Sequence, residues 1–338
     1  MRRAKGLINQ IADADNVRAA YIKSCRGRRT KPEVLRYQKS LDSNLLQLQQ
    51  ELAAGEVDWG EYHAFHVNDP KPRTIHASSF KSRVAQHSIM NLCGQSFEDY
   101  QIFDSYACRK GKGLDAALAR SIKFSRRGDW YLQLDIKKYF NTINHQVLNN
   151  LLRRRFKEAK LLDLFATVLD SYHVLSGEGV PIGNLTSQFF ANHYLGALDH
   201  FVKEHLRAKR YVRYMDDFVI WSSDKQSLLE MHREIVSFLK DELKLTAKPK
   251  ILNQCSLGMT FLGFRVFPQG ARLSRRTRDR FRRKSKKYIE KYNAGHWNEE
   301  ELARHMQPLT DFVMKGASRE YRQRVIVENG LCPEARTA

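Results

Sequence analysis

With 338 residues, 42% of them hydrophobic, the chain is long enough for two or three compact units with a substantial core, which excludes a disordered tail. A net charge of +21, with an isoelectric point near 9.8, attracts polyanions: nucleic acid first, an anionic membrane surface as the alternative. No apolar run approaches the roughly 18 residues of a membrane span, and Met1-Arg2-Arg3-Ala4-Lys5 opens no signal-peptide core.

Residues 7–55 carry helical signals. Leu41, Leu45, Leu48 and Leu52 recur at helical spacing within 34–52, and Gly55 is the expected stop. Residues 57–80 turn extended, with near alternation over Tyr62-His63-Ala64-Phe65-His66-Val67 and a turn at Asp69-Pro70-Lys71-Pro72. A helix is predicted over 81–97, a strand over 130–135, and a helix or helix pair over 147–169. Long helices follow over 189–206 and 228–243, then a short strand over 260–267 ending at Pro268. Residues 272–291 are dense in Arg and Lys around Phe281, Tyr288 and Ile289, a basic amphipathic helix suited to phosphate contact. Helices between antiparallel-looking strands predict an α+β fold.

The five cysteines are scattered and lack a Cys-x-x-Cys pair, and the twelve histidines show no zinc spacing. Reduced cysteines point to a cytoplasmic protein.

Two acidic signals carry the chemistry. Asp216-Asp217 interrupts the strand-like runs Arg210-Tyr211-Val212-Arg213-Tyr214 and Phe218-Val219-Ile220-Trp221, which predicts a hairpin with both acids at its tip. Adjacent carboxylates resist joint ionisation unless a cation binds. Upstream, Leu132-Gln133-Leu134-Asp135-Ile136-Lys137-Lys138-Tyr139-Phe140 is a second strand-like run ending in an acid, with an aromatic soon after. If the strands are neighbours, three oxygen ligands converge, a set that suits magnesium. Two such ions about 4 Å apart would serve an in-line phosphoryl transfer.

These acids sit among further blocks: Lys71-Pro72-Arg73, Phe80-Lys81-Ser82-Arg83-Val84-Ala85-Gln86-His87, Ser105-Tyr106-Ala107-Cys108-Arg109, residues 179–188, residues 243–250 and Phe261-Leu262-Gly263-Phe264. In this order, over about residues 70–267, the chain resembles a reverse transcriptase. The resemblance implies a right-hand polymerase fold: N-terminal helical extension and fingers over 1–129, palm over 130–267 and a basic helical thumb over 268–338. It implies an RNA-directed DNA polymerase using two magnesium ions (Mg2+), an RNA template, a DNA or RNA primer and deoxynucleoside triphosphates (dNTPs).

By the same resemblance Asp135, Asp216 and Asp217 are the catalytic and metal-binding acids, with the backbone of Ile136 beside them and Asp217 the less direct. Arg73, helped by Lys71, contacts the triphosphate, and Phe140 is the gate against a ribose 2′-hydroxyl. Lys248 or Lys250 lies near the leaving pyrophosphate. Phe261 and Gly263 belong to the segment gripping the primer, and Arg275, Arg276 and Lys284 serve the primer–template.

Gly179-Val180-Pro181-Ile182-Gly183-Asn184-Leu185-Thr186-Ser187-Gln188 departs from the common Pro-Gln-Gly pattern followed by Ser-Pro: Ile182 replaces the Gln and Gln188 the Pro. Both changes, on a loop where Gly183 also meets the nucleotide, resemble the enzymes of bacterial and phage diversity-generating retroelements. Those copy a template-repeat RNA with errors at adenines for mutagenic retrohoming. Such systems use a small basic accessory variability protein, a helical-bundle oligomer, as partner, and residues 1–70 could dock it. The region after 267 has room for a thumb but not for an RNase H or nuclease domain. The other readings are a group II intron, retron or abortive-infection-type reverse transcriptase, or a non-enzymatic basic RNA-binding protein.

Overall fold

The computed structural model describes residues 6–68 and 72–330. Its N-terminal part is helical: α1 (Ile8–Ile11), α2 (Ala14–Ser24), α3 (Pro32–Lys39) and α4 (Leu41–Ala54). The expected single helix over 34–52 is broken at Ser40, whose backbone leaves the helical region (φ −126°, ψ 45°), while Gly55 caps α4 at φ +82° as predicted. Strands β1 (His63–Val67) and β2 (Arg73–Ala77) form an isolated antiparallel hairpin. The turn expected at its tip, including Lys71, falls outside the described residues.

Helix α5 (Phe80–Glu98) follows, capped by the Ser79 hydroxyl, then α6 (Leu114–Ser125) and β3 (Trp130–Asp135). The predicted helix pair is α7 (His145–Arg155) and α8 (Ala159–Asp170). Helix α9 (Leu185–His200) ends in a wider π turn over Phe201–His205, so the expected helix starts earlier and changes pitch. Next come β4 (Arg210–Tyr214), β5 (Asp217–Ser222), α10 (Lys225–Asp241) and β6 (Ile251–Gln254).

The strand expected over 260–267 is two: β7 (Met259–Phe261) and β8 (Phe264–Phe267) fold back at Leu262-Gly263 and continue into β9 (Gly270–Leu273). Both turn residues have positive φ (51° and 88°), the demand of the tightest hairpin. A Cβ on Gly263 would lie 3.1 Å from both the Phe312 ring and the Thr277 hydroxyl. Arg272 therefore sits in β9, and the basic helix is α11 (Arg275–Asn293), capped by Ser274. Helices α12 (Glu299–Met314) and α13 (Arg319–Glu328) complete the described chain.

The central sheet has the order β4-β5-β3-β6, every neighbour antiparallel. Both faces are covered. Leu132, Leu134, Tyr211, Phe218 and Ile220 enter a core shared with α5 and α7–α10. Tyr131, Val212, Val219 and Trp221 enter a second, shared with α6, the β7–β9 sheet and the terminal helices. Burial on both sides explains why these strands are almost continuously apolar. Among the described residues no helix is long and apolar enough to cross a membrane. Of the cysteines, Cys25, Cys93 and Cys255 are buried and Cys108 is exposed, all as free thiols.

Candidate active site

The β3–β5 ladder sets Asp135 directly opposite Asp217. Opposed residues of an antiparallel pair project to the same face, so these carboxylates are neighbours. Only Met215 and Asp216 form the connecting loop between β4 and β5. The sequence pattern had both acids at the hairpin tip; Asp216 alone is there, because the tight two-residue turn draws Asp217 into the ladder. Met215 takes φ +55° at the first loop position, where glycine is the easy occupant.

Burial raises the Asp216 pKa, and the charge of the neighbouring Asp135 carboxylate raises it further. Asp217 is pushed up to about 7, first by burial and then by Asp135 and Asp216, against a hydrogen bond from Gln133 that lowers it. The Gln133 amide nitrogen lies 3.0 Å from Oδ1 and 3.3 Å from Oδ2 of Asp217. It also donates to the Thr260 carbonyl in β7 at 3.2 Å, tying the acid to the neighbouring hairpin. A folded pKa above the unfolded value means this carboxyl supports folding when protonated. That support fades as pH rises from about 4 through about 7, so a cation that holds Asp217 ionised offsets a cost.

The second oxygen of Asp135 is engaged by Lys248, whose Nζ lies 2.6 Å from Oδ2, while the Lys248 amide donates to the Asp135 carbonyl at 2.7 Å. Lys250, the alternative to Lys248, is exposed and lies near His232 of α10, whose imidazole pKa is lowered first by burial and then by Lys250. The two lysines are thereby distinguished: Lys248 belongs to the acid cluster. Oδ1 of Asp135 is buried without a hydrogen-bond partner. An orphaned carboxylate oxygen beside two carboxyls with raised pKa values is an all-oxygen set that fits a hard divalent cation. Among the described residues no three His, Cys, Asp or Glu side chains are gathered as a metal cage; Lys248 and Gln133 hydrogen-bond two of the acids.

Ile136 buries its side chain in the first core. It bridges Ala247, but the bonds of that bridge come from Asp135–Lys248 and Lys137–Thr246, so its own carbonyl is not used there. Phe140 sits half-buried on a 3-10 turn just beyond Asp135, edge-on to Tyr139 at 5.7 Å. Tyr139 is bolted to the Ala191 carbonyl at 2.5 Å. Val180 donates to the Phe140 carbonyl at 2.8 Å, so the 179–183 loop lies beside this turn. Farther along the loop, the Ile182 carbonyl accepts from His76 of β2 at 3.0 Å, and a Cβ on Gly183 would lie 3.1 Å from the His76 carbonyl. Ile182 is half-buried, Gln188 likewise on the first turn of α9, and Arg73 stands exposed at the start of β2.

Three expected nucleic-acid contacts change. The Phe261 ring is enclosed in the second core, so it shapes the hairpin instead of presenting a surface. Gly263 likewise packs against the thumb helices, its carbonyl accepting from Thr277 Oγ1 at 2.6 Å. On α11, Arg275 and Arg276 are exposed, whereas Lys284 is half-buried and lines a cavity with Arg280, Tyr288, Arg304 and His305. At about 100° per residue Lys284 lies half a turn from Arg275, so the three do not form one cationic face.

Sequence reasoning missed Gln133 and the ion pair of Arg213 with Asp199, in which both side chains are fully buried. The signal was present: Gln133 and Arg213 each interrupt a strand rich in apolar residues, and Asp199 stands in the largely apolar helix α9.

A family model, "Reverse transcriptase (RNA-dependent DNA polymerase)", matches residues 68–266. Protein YkfC of Escherichia coli is 24% identical over 249 residues, covering 60% of this chain and 65% of that protein. The group II intron-encoded protein LtrA of Lactococcus lactis is 27% identical over 142 residues, covering 40% of this chain and 24% of that protein. The chain thus spans less than two thirds of the length of these curated relatives. An apo telomerase structure from Candida Tropicalis superposes with a TM-score of 0.50 at 11% identity, covering 80% of this chain and 66% of that one. That likeness shows the fold alone, the right-hand polymerase architecture, here α+β with antiparallel sheets. With the family match reaching from β2 into β8 and enclosing all three acids, the chain belongs to the reverse transcriptase (RNA-dependent DNA polymerase) family.

Proposed function

We propose that the chain is an RNA-directed DNA polymerase that extends a primer 3′-hydroxyl on an RNA template with dNTPs. The single observation that carries this is the register pairing Asp135 with Asp217 while the turn presents Asp216 beside them. Asp135, Asp216 and the Ile136 carbonyl would hold two magnesium ions, with Asp217 supporting them. Bound magnesium supplies Lewis acidity for activating the hydroxyl and neutralising phosphate charge. Lys248 offers a cation for the departing pyrophosphate, Arg73 with Lys71 one for the triphosphate, and Phe140 fills the space of a 2′-hydroxyl. The test is primer extension on RNA with and without magnesium; no incorporation by the wild-type protein sinks the reading.

Within the family we favour the diversity-generating class, on Ile182 and Gln188. The contact of the Ile182 carbonyl with β2 supports this loop as part of the nucleotide pocket wall. An apolar Ile there offers no hydrogen bond that would penalise a misplaced base. Ile182→Gln is expected to lower misincorporation opposite template adenine by about tenfold, on the order of one hydrogen bond's worth of discrimination. Sequencing of extension products checks this, and an unchanged error spectrum removes Ile182 from the mechanism. This class also carries the small basic accessory oligomer as partner and a cytoplasmic setting. The second reading, a group II intron-type enzyme, is favoured by the likeness to LtrA. A near-identical repeat pair differing at adenines in the flanking DNA separates the two.

The exposed Arg275 and Arg276 are proposed as phosphate contacts. Replacing both with Gln should reduce the slope of log Kd against log salt by about 0.7–0.9 per lost contact, without altering base preference. An unchanged slope in fluorescence-anisotropy titrations would take this face of α11 out of the interface.

A further inference from the structure

Asp135 and Asp217 are fixed by the β3–β5 ladder, but Asp216 stands in a turn and gains no such support. Its neighbour Met215 holds a left-handed backbone, which is unfavourable for a residue with a Cβ. Such a conformation persists only when the surroundings over-determine it. The element that does so is Arg213, two positions earlier in β4.

A guanidinium has five N–H donors in one plane, and here each finds an acceptor. Nε and one terminal nitrogen grip the two Asp199 oxygens at 2.7 and 2.6 Å. The same terminal nitrogen reaches Gln101 Oε1 at 3.1 Å. The other spans Asn192 Oδ1 at 3.1 Å and the Met215 carbonyl at 3.0 Å. Asp199 is further held by the Tyr211 hydroxyl at 2.7 Å. The Arg213 backbone also bonds Asp104 and Tyr106, so the residue is held at its main chain by the 104–106 segment and at its side chain by α9. Its one contact with the turn is the Met215 carbonyl, the peptide group leading into Asp216.

We propose that Arg213 is a positioning residue: through the Met215 carbonyl it fixes the turn that sets Asp216 against Asp135. The inference rests on Asp216 being a metal-binding acid of the polymerase. Lysine keeps a charge for Asp199 but cannot span Asn192, Gln101 and the Met215 carbonyl at once.

Arg213→Lys is therefore expected to lower kcat for primer extension by about 10²-fold, the scale of a 1 Å misplacement. The Kd for primer–template should stay within about twofold, because that contact does not pass through the turn. Gln101→Ala removes an acceptor remote from the turn and should leave kcat within about threefold. Asn192→Ala frees the nitrogen that serves Met215 and should give an intermediate loss of about tenfold; it also decides the matter if Arg213→Lys does not fold. Hydrogen exchange supplies an arm independent of activity: Arg213→Lys should speed exchange at residues 214–217 while residues 130–135 stay protected. Wild-type kcat in both Arg213→Lys and Asn192→Ala, equal losses in Gln101→Ala, or loosening of both strands together would each overturn the proposal. Absence of polymerisation by the wild type would instead fail the functional reading, and the exchange result would still judge Arg213.

Discussion

Asp216→Asn is expected to abolish magnesium-dependent incorporation, lowering kcat by at least about 10³-fold, the rate equivalent of losing several kcal/mol of transition-state charge stabilisation. The substitution keeps the shape of the turn and removes only the negative charge. RNA affinity should stay within about twofold, because the basic surfaces that meet phosphate are untouched. Asp135→Asn should behave alike, and it also strands Lys248, whose ammonium would lose its carboxylate at 2.6 Å. Asp217→Asn should be milder, about tenfold, because Gln133 already engages that carboxyl. Single-turnover extension at saturating magnesium, beside a binding titration, separates these outcomes. A variant with Asn at 216 that still polymerises at the wild-type rate would remove Asp216 from the chemistry.

Phe140→Ala should admit ribonucleotides, reducing discrimination between deoxy- and ribonucleotides by about 10²-fold, mostly through a lower KM for the ribonucleotide. The ring can act as a stop because its mounting is stiff. The turn begins at Lys138 in a left-handed conformation, Tyr139 is pinned to α9 through its hydroxyl, and the Phe140 carbonyl is held by Val180. Losing the ring leaves that backbone anchored, so deoxynucleotide kinetics should change little. Parallel KM and kcat measurements for matched nucleotide pairs test it; an unaltered ratio would mean the ring serves packing alone.

Much of this was legible in the residues because local rules and tertiary demands agreed. The strand over Trp130–Asp135 was fully readable, since β propensity and a sheet covered on both faces ask for the same apolar run. The helix break at Ser40 was not, because Val34, Tyr37 and Leu41 keep helical spacing across it while the backbone does not. The Leu262-Gly263 reversal hid within an apolar stretch, where a leucine at positive φ gives no compositional warning. At the site, the acids were visible as charges out of place. The contacts that hold them were not: Gln133 on Asp217, Lys248 instead of Lys250 on Asp135, and Arg213 on Asp199 and the Met215 carbonyl are set by the folded chain, which spacing along the sequence does not encode. The different sides of α11 taken by Arg275 and Lys284 were hidden in the same way, as composition counts charges without assigning them to sides of a helix.

The pairing of Asp135 with Asp217 gives the site a parity. Side chains alternate along β3 and β5, so a slip of one residue in either strand would send Leu134 to the acid face and Asp135 into the first core. Sequence in these strands can drift widely provided apolar bulk is kept, but the count of residues between the strand starts and the acids cannot change by one. Chain length, more than side-chain identity, is then what a lineage of such enzymes must inherit intact at this sheet.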